Sequence, residues 1–233
     1  MSDKAQHLER LNQSIALSTA LRRGLRADSE ATERRRALRQ WQSQRLQRTH
    51  ADLLGDKRYA AAARFFVDDL YSANDTGERD AGVARAVPSI SKLLPPAGVE
   101  TAADAIELDA LSESLDAAMA EKLGPRVFSL DSTAYAEAYR AVGRSDDRAR
   151  QIALMEHLGQ SLDTLTRLPL IGATLKMMRK PAKLVGLGDL QSFLERGFTA
   201  FRTMGRSEEF VARIAARERD LMRAWLAGET PSA

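Results

Sequence analysis

An all-α protein, a compact multi-helix bundle with an N-terminal helical arm, is what this sequence predicts. Three observations carry the expectation. Apolar residues recur at i, i+3, i+4 and i+7 along most of the chain, no convincing run alternates β-branched with polar residues, and Gly and Pro stand where the helical patterns stop. With 233 residues, 44% of them hydrophobic and 29% charged, the chain can bury a sizeable core. Aromatics reach only 6%, so alanine and leucine supply much of the apolar surface.

The elements follow in order. Leu8, Leu11, Ile15, Leu21 and Leu25 give a first helix with a loose stripe, and Asp28 or Ser29 is placed to cap a second. That second helix carries Arg34, Arg35, Arg36 and Arg39, with Leu38, Trp41 and Leu46 as a sparse apolar stripe. Together they make a basic arm, residues 1–56, ahead of an all-helical body over 57–228 and a disordered tail over 229–233. From Lys57 a helix gathers Tyr59, Ala62, Ala63, Phe66, Val67 and Leu70 on one side, with Phe65 widening the face. Asn74-Asp75-Thr76-Gly77 stops it, and a short helix from Arg79 to Leu94, broken or kinked at Pro88, leads to Pro95-Pro96.

Residues 99–123 read as a central helix with two apolar sides, Leu108, Leu111, Leu115 and Met119 on one and Val99, Ile106, Ala110 and Ala117 on the other. Gly124-Pro125 ends it, Asp131-Ser132 caps the next helix, and another starts near Ser145. Leu168-Pro169-Leu170 opens a short segment expected to end at Lys180-Pro181. The last two helices run through Phe193 and Phe201 and through Phe210 and Trp225, joined as a hairpin by Gly205-Arg206-Ser207. Gly197, between Phe193 and Phe201, lets a partner helix come close.

Phe65-Phe66-Val67-Asp68-Asp69-Leu70-Tyr71 resembles the signature of an uncharacterised group of bacterial proteins named for a FFLEELY motif. The stretches 105–112 and 186–198 are similar to that group as well. The resemblance covers roughly residues 57 to 226, leaves out the arm, and implies a shared helical fold with no activity to transfer.

Charge is segregated. Residues 1–58 and 167–206 are each strongly basic, whereas Val99 to Glu137 holds nine acids against Lys122 and Arg126. Glu107, Asp109, Glu113 and Asp116 are therefore expected either to meet arginines from the basic segments or to form a solvated strip. Asp104, in the first turns, is explained by the helix dipole.

Most enzyme templates lack their parts. There is no cysteine, no Gly-x-x-x-x-Gly-Lys loop, no Gly-x-Ser-x-Gly elbow and no Glu-x-x-His pair, and His157 falls off its helix's apolar side. No cofactor and no metal is expected. Asp68 and Asp69 are adjacent, so on a helix they point about 100° apart, which favours a surface pair or a link to the arm over acid–base work. Phe65, Phe66 and Leu70 are expected as core anchors rather than a ligand pocket. The formal surplus of three positive charges is too small to argue nucleic acid, and Glu30 and Glu33 flank the arginine run. No run of about 18 apolar residues occurs, and the first residues lead into a charged helix, so the expectation is a cytoplasmic protein.

The function expected from these readings is a non-catalytic interaction or assembly module. A protein partner or a second copy would be met by Arg34, Arg35, Arg36, Arg39 and Trp41. The alternative is a peripheral membrane or apolar-ligand binder using residues 168–183, where Leu170, Ile171, Leu175, Met177 and Met178 stand beside Lys176, Arg179, Lys180 and Lys183. For that segment ordinary core packing with a basic outer edge is the favoured expectation. A cofactor-free enzyme built on Asp68, Asp69 and Tyr71 comes third.

Overall fold

The computed structural model describes residues 3–70, 96–184 and 188–231, and among them the chain forms ten α-helices and no strand. The first four are α1 (Asp3–Arg26), α2 (Ser29–Thr49), α3 (Ala51–Gly55) and α4 (Ala60–Arg64), the last continuing as a π-helical turn over Phe65–Leu70. α5 (Pro96–Leu123) passes through a 3-10 turn, Gly124–Ser129, into α6 (Ser132–Val142) and α7 (Ser145–Arg167). α8 (Ile171–Leu184), α9 (Gly188–Met204) and α10 (Glu208–Ala227) complete the order. The helix expected from Arg79 to Leu94, its Pro88, the stop at Asn74–Gly77 and Tyr71 lie outside the described residues.

Local chemistry sets several boundaries. Asp28 accepts from the Ala31 amide at 3.0 Å and Asp131 from the Ala134 amide at 2.8 Å, each satisfying an otherwise orphaned donor in a first turn. Gly205, at φ 77°, takes the left-handed conformation that closes α9 before α10. Pro181 does not end its helix as the sequence suggested: α8 runs through it to Leu184. The proline sits in the last turn, and its missing N–H forfeits only the bond to the Met177 carbonyl, on a part of the helix that faces solvent.

α5 is the hub, contacting α1, α2, α6 and α7. Its Leu108 joins the main core, where Tyr59, Phe66, Val67, Leu158, Phe201 and Phe210 meet. Its flatter side takes α1, with Ala103 against Leu11, and the small buried Ser14 and Ser18 line the same helix of the arm. Farther along, Met119 enters an aromatic core with Leu38, Tyr135, Tyr139 and Trp225. The arm thus packs on the body along α5 rather than standing free of it.

The π-helical turn explains how the aromatic motif fits. On a regular helix, three successive large side chains spread over about 200°. The wider turn brings consecutive side chains closer in angle, and Phe65, Phe66 and Val67 are all buried. Phe65 presses on α9 where Gly197 has no side chain, and a Cβ there would lie 2.7 Å from the Phe65 Cζ.

Candidate functional site

The acidic row of α5 meets the arginines of the arm. Asp109, Glu113 and Asp116 stand at i, i+4 and i+7, one arc of the helix, and α2 offers Arg35, Arg39 and Gln42 at the same spacing. Arg39 reaches Glu113 at 2.6 Å and Asp116 at 2.9 Å, while Gln42 donates to Asp116 at 3.1 Å. Arg35 meets Glu113 at 2.7 Å, and Arg22 of α1 bridges Asp109 at 2.8 Å and Glu113 at 3.0 Å. Burial would lower the Arg39 guanidinium, but Asp116 and Glu113 outweigh it and raise its pKa. For Arg35, burial and the neighbouring Arg39 charge win, and its pKa falls below the ordinary arginine value. Glu113 is fully sealed from solvent, so no substrate can reach it, and the cluster acts as a clamp between three helices.

A second junction holds Asp104. Its buried carboxylate lies 2.5 Å from Arg10 and 2.5 Å from His157 Nδ1, so specific partners on α1 and α7 stabilise it and the helix dipole is not needed to explain it. Glu107 pairs with Arg150 at 2.7 Å and with Arg10 at 3.3 Å. His157 is half exposed, and among the described residues no hydroxyl is hydrogen-bonded to it. Its ring nitrogen joins α7 to α5 through Asp104.

The other expected site residues separate. Arg34 pairs with Glu30 on its own helix at 2.6 Å, Trp41 stacks on Tyr135 at a centroid distance of 4.3 Å, and Arg36 faces solvent. Arg35, Arg39 and Trp41 are thus spent within the chain. Phe65 and Phe66 are core, whereas Asp68, Asp69 and Leu70 are described only as backbone of the π-helical turn. Beside Phe65 an open groove of about 550 Å³ runs between α4 and α9, lined by Ala61, Arg64, Ser192, Thr199 and Ala200 among others. Among the described residues no group of three His, Asp or Glu side chains is placed to hold a metal ion.

Sequence reasoning missed a third ionic junction. Arg45 and His50 Nε2 converge on Glu218 of α10 at 2.5 and 3.0 Å. Burial alone would raise the Glu218 carboxyl, but the charge of Arg45 and hydrogen bonds from His50 and Arg45 hold it down at about 2. The signal was present: Arg45 lies at i+7 from Leu38 and i+4 from Trp41, on the buried arc of α2.

The outer face of α8 is the largest departure from expectation. Leu170, Met177 and Leu184, seven residues apart, are 74%, 75% and 87% exposed, and Leu168 and Met178 are exposed beside them. Core packing does not occur for these residues. α8 has α9 as its main neighbour, so one narrow face, around Ala182, is covered. Arg179 donates to both oxygens of Glu195 at 2.7 and 2.8 Å, and Gln191 donates to the Leu175 carbonyl at 2.6 Å. Hydrogen bonds from Arg179 and Gln191 hold the Glu195 carboxyl down at about 2. These bonds fix the roll of α8 on α9, and Gly172 admits the Phe198 ring close to the helix. Lys176, Lys180 and Lys183 have no carboxylate within ion-pair distance among the described residues.

Fold and site together define a strand-free helical domain, among its described residues, whose arginines clamp its helices internally and which leaves one helix face uncovered. The chain belongs to the family described as a domain of unknown function (DUF8198), which matches residues 21–232. That match takes in α2, which the motif resemblance left out. No curated protein and no solved structure matches the chain.

Proposed function

We propose that the protein is a non-catalytic docking module whose contact surface is the outer face of α8. The observation that carries this reading is the exposed line of Leu170, Met177 and Leu184, held in place by the Arg179–Glu195 and Gln191–Leu175 bonds. Covering each such side chain is worth about 1.5–3 kcal/mol, so a partner that buries the line gains a real driving force. The arm supports the reading by being occupied elsewhere: Arg35, Arg39 and Trp41 brace α5 and α6 and are not free to recruit a partner.

The test is a triple substitution, Leu170→Ser, Met177→Ser and Leu184→Ser, followed by sedimentation of the protein from a lysate of its own cells. The wild type is expected in a bound, fast-sedimenting form and the variant in the free form, with the melting temperature unchanged because the residues touch solvent. Identical sedimentation of the two sinks the docking reading. A peripheral membrane is the occupant favoured by the lysines beside the line.

A further inference from the structure

We infer that the occupant of the α8 face is an anionic lipid surface, on which the helix lies flat. The inference rests on the docking reading above and names its partner. Residues 164–188 contain five basic residues and no acid, and Arg167 and Arg179 are already paired with Asp163 and Glu195. That leaves Lys176, Lys180 and Lys183 as the charges a partner meets.

Helical geometry puts them in one place. At 100° per residue along α8, Met177 and Leu184 fall within about 20° of arc, Leu170 stands in the turn just ahead of the helix, and the three lysines fill about 60° along one flank. Lysine stems can lie along an apolar surface while their ammonium groups reach outward, which suits a headgroup layer over acyl chains. Met177 and Leu184 stand about 10 Å apart along the helix axis, so both can enter one plane together. Among the described residues no helix is long and apolar enough to cross a membrane, so the geometry is that of a helix resting on the surface.

The kind of cation, rather than the apolar side chains, favours lipid over protein as occupant. Protein interfaces are enriched in aromatic residues, methionine and arginine and depleted in lysine. Met177 and Met178 suit either occupant, but the one arginine of α8 is turned to Glu195, and its exposed cations without an ion-pair partner among the described residues are lysines. A second copy fits poorly, because a two-fold pair would set the three lysines of one α8 near those of the other.

The experiment is vesicle flotation of the full-length protein with phosphatidylcholine alone and with equal parts phosphatidylcholine and phosphatidylglycerol. Flotation is expected only with the anionic vesicles, and it weakens as salt is added. Replacing Lys176, Lys180 or Lys183 by glutamine lowers partition about fivefold each. The Leu170→Ser, Met177→Ser and Leu184→Ser variant stays at the bottom while melting as the wild type does. Absence of flotation with anionic vesicles, or flotation indifferent to the lysines, overturns the lipid assignment. If the lysate difference between wild type and triple variant persists in that case, docking stands and the occupant is a protein. If it vanishes as well, both readings fail.

Discussion

The carboxylate of Glu113, sealed from solvent, accepts a hydrogen bond from Arg39 Nη2 at 2.6 Å, and around it Arg22 and Arg35 complete a contact among α1, α2 and α5. Burying these charges is costly, and mutual pairing offsets the cost only while every member is present. Glu113→Gln leaves Arg35 without its carboxylate and Arg22 and Arg39 with only Asp109 and Asp116, so a loss of about 3–5 kcal/mol in urea unfolding is expected. Glu107→Gln removes a pair whose Arg150 is half exposed, and its loss stays within about 1 kcal/mol. Equal small losses at the two positions would contradict the clamp.

Arg148 sets the opposite case. It is 5% exposed, its Nε and Nη2 have no hydrogen-bond partner, and its Cζ stands 4.4 Å from the centroid of the Tyr139 ring. A ring face returns about 2 kcal/mol to a desolvated guanidinium, less than burying an unpaired charge costs. Arg148→Met, similar in length and apolar, is therefore expected to leave stability unchanged or to raise it by about 1–2 kcal/mol. A loss above about 2 kcal/mol in the same urea experiment would mean that the ring contact does more than this balance allows.

Much of the fold was legible because helices announce themselves locally. The two apolar sides of α5 pointed to a central helix, and Asp28 and Asp131 marked helix starts through chemistry confined to three residues. The expectation for α8 failed for the opposite reason. Whether Met177 is covered depends on how many helices lie alongside, and α8's main neighbour is α9, which no periodicity can reveal. Pro181 read as a stop because sequence cannot say that the carbonyl it strands faces water. Arg45 and Glu218 are 173 residues apart, so their junction left only an arginine on an apolar arc as its trace.

Gly197 and Phe65 offer a test of the motif's packing. A Cβ at position 197 would approach Phe65 Cζ to 2.7 Å and the two Cε atoms to 3.2 Å. Gly197→Ala gains helix propensity of up to about 1 kcal/mol but must displace a buried ring, so a net loss of about 1–2 kcal/mol is expected. Phe65→Leu vacates that space, and the double variant should be more stable than the sum of the single losses predicts. Strict additivity in the cycle would show that the ring of Phe65 does not depend on a bare backbone at 197.

The acid limb of stability should report Glu218. Its carboxyl is held at about 2 in the folded chain against an ordinary 4.5, because Arg45 and His50 favour the charged form by more than burial opposes it. A folded value below the unfolded one means that the stabilisation is complete above 4.5 and is lost as the pH falls toward 2. Asp52, lowered by its hydrogen bond from Arg217, acts in the same direction from a more exposed site. Urea midpoints measured from about pH 6 down to about pH 3 should fall for the wild type. For Glu218→Gln the midpoint starts lower, since Arg45 is left buried without its carboxylate, and declines less. The gap between the two proteins therefore narrows with acid, and a gap that stays constant across the window would remove Glu218 from the account of acid stability.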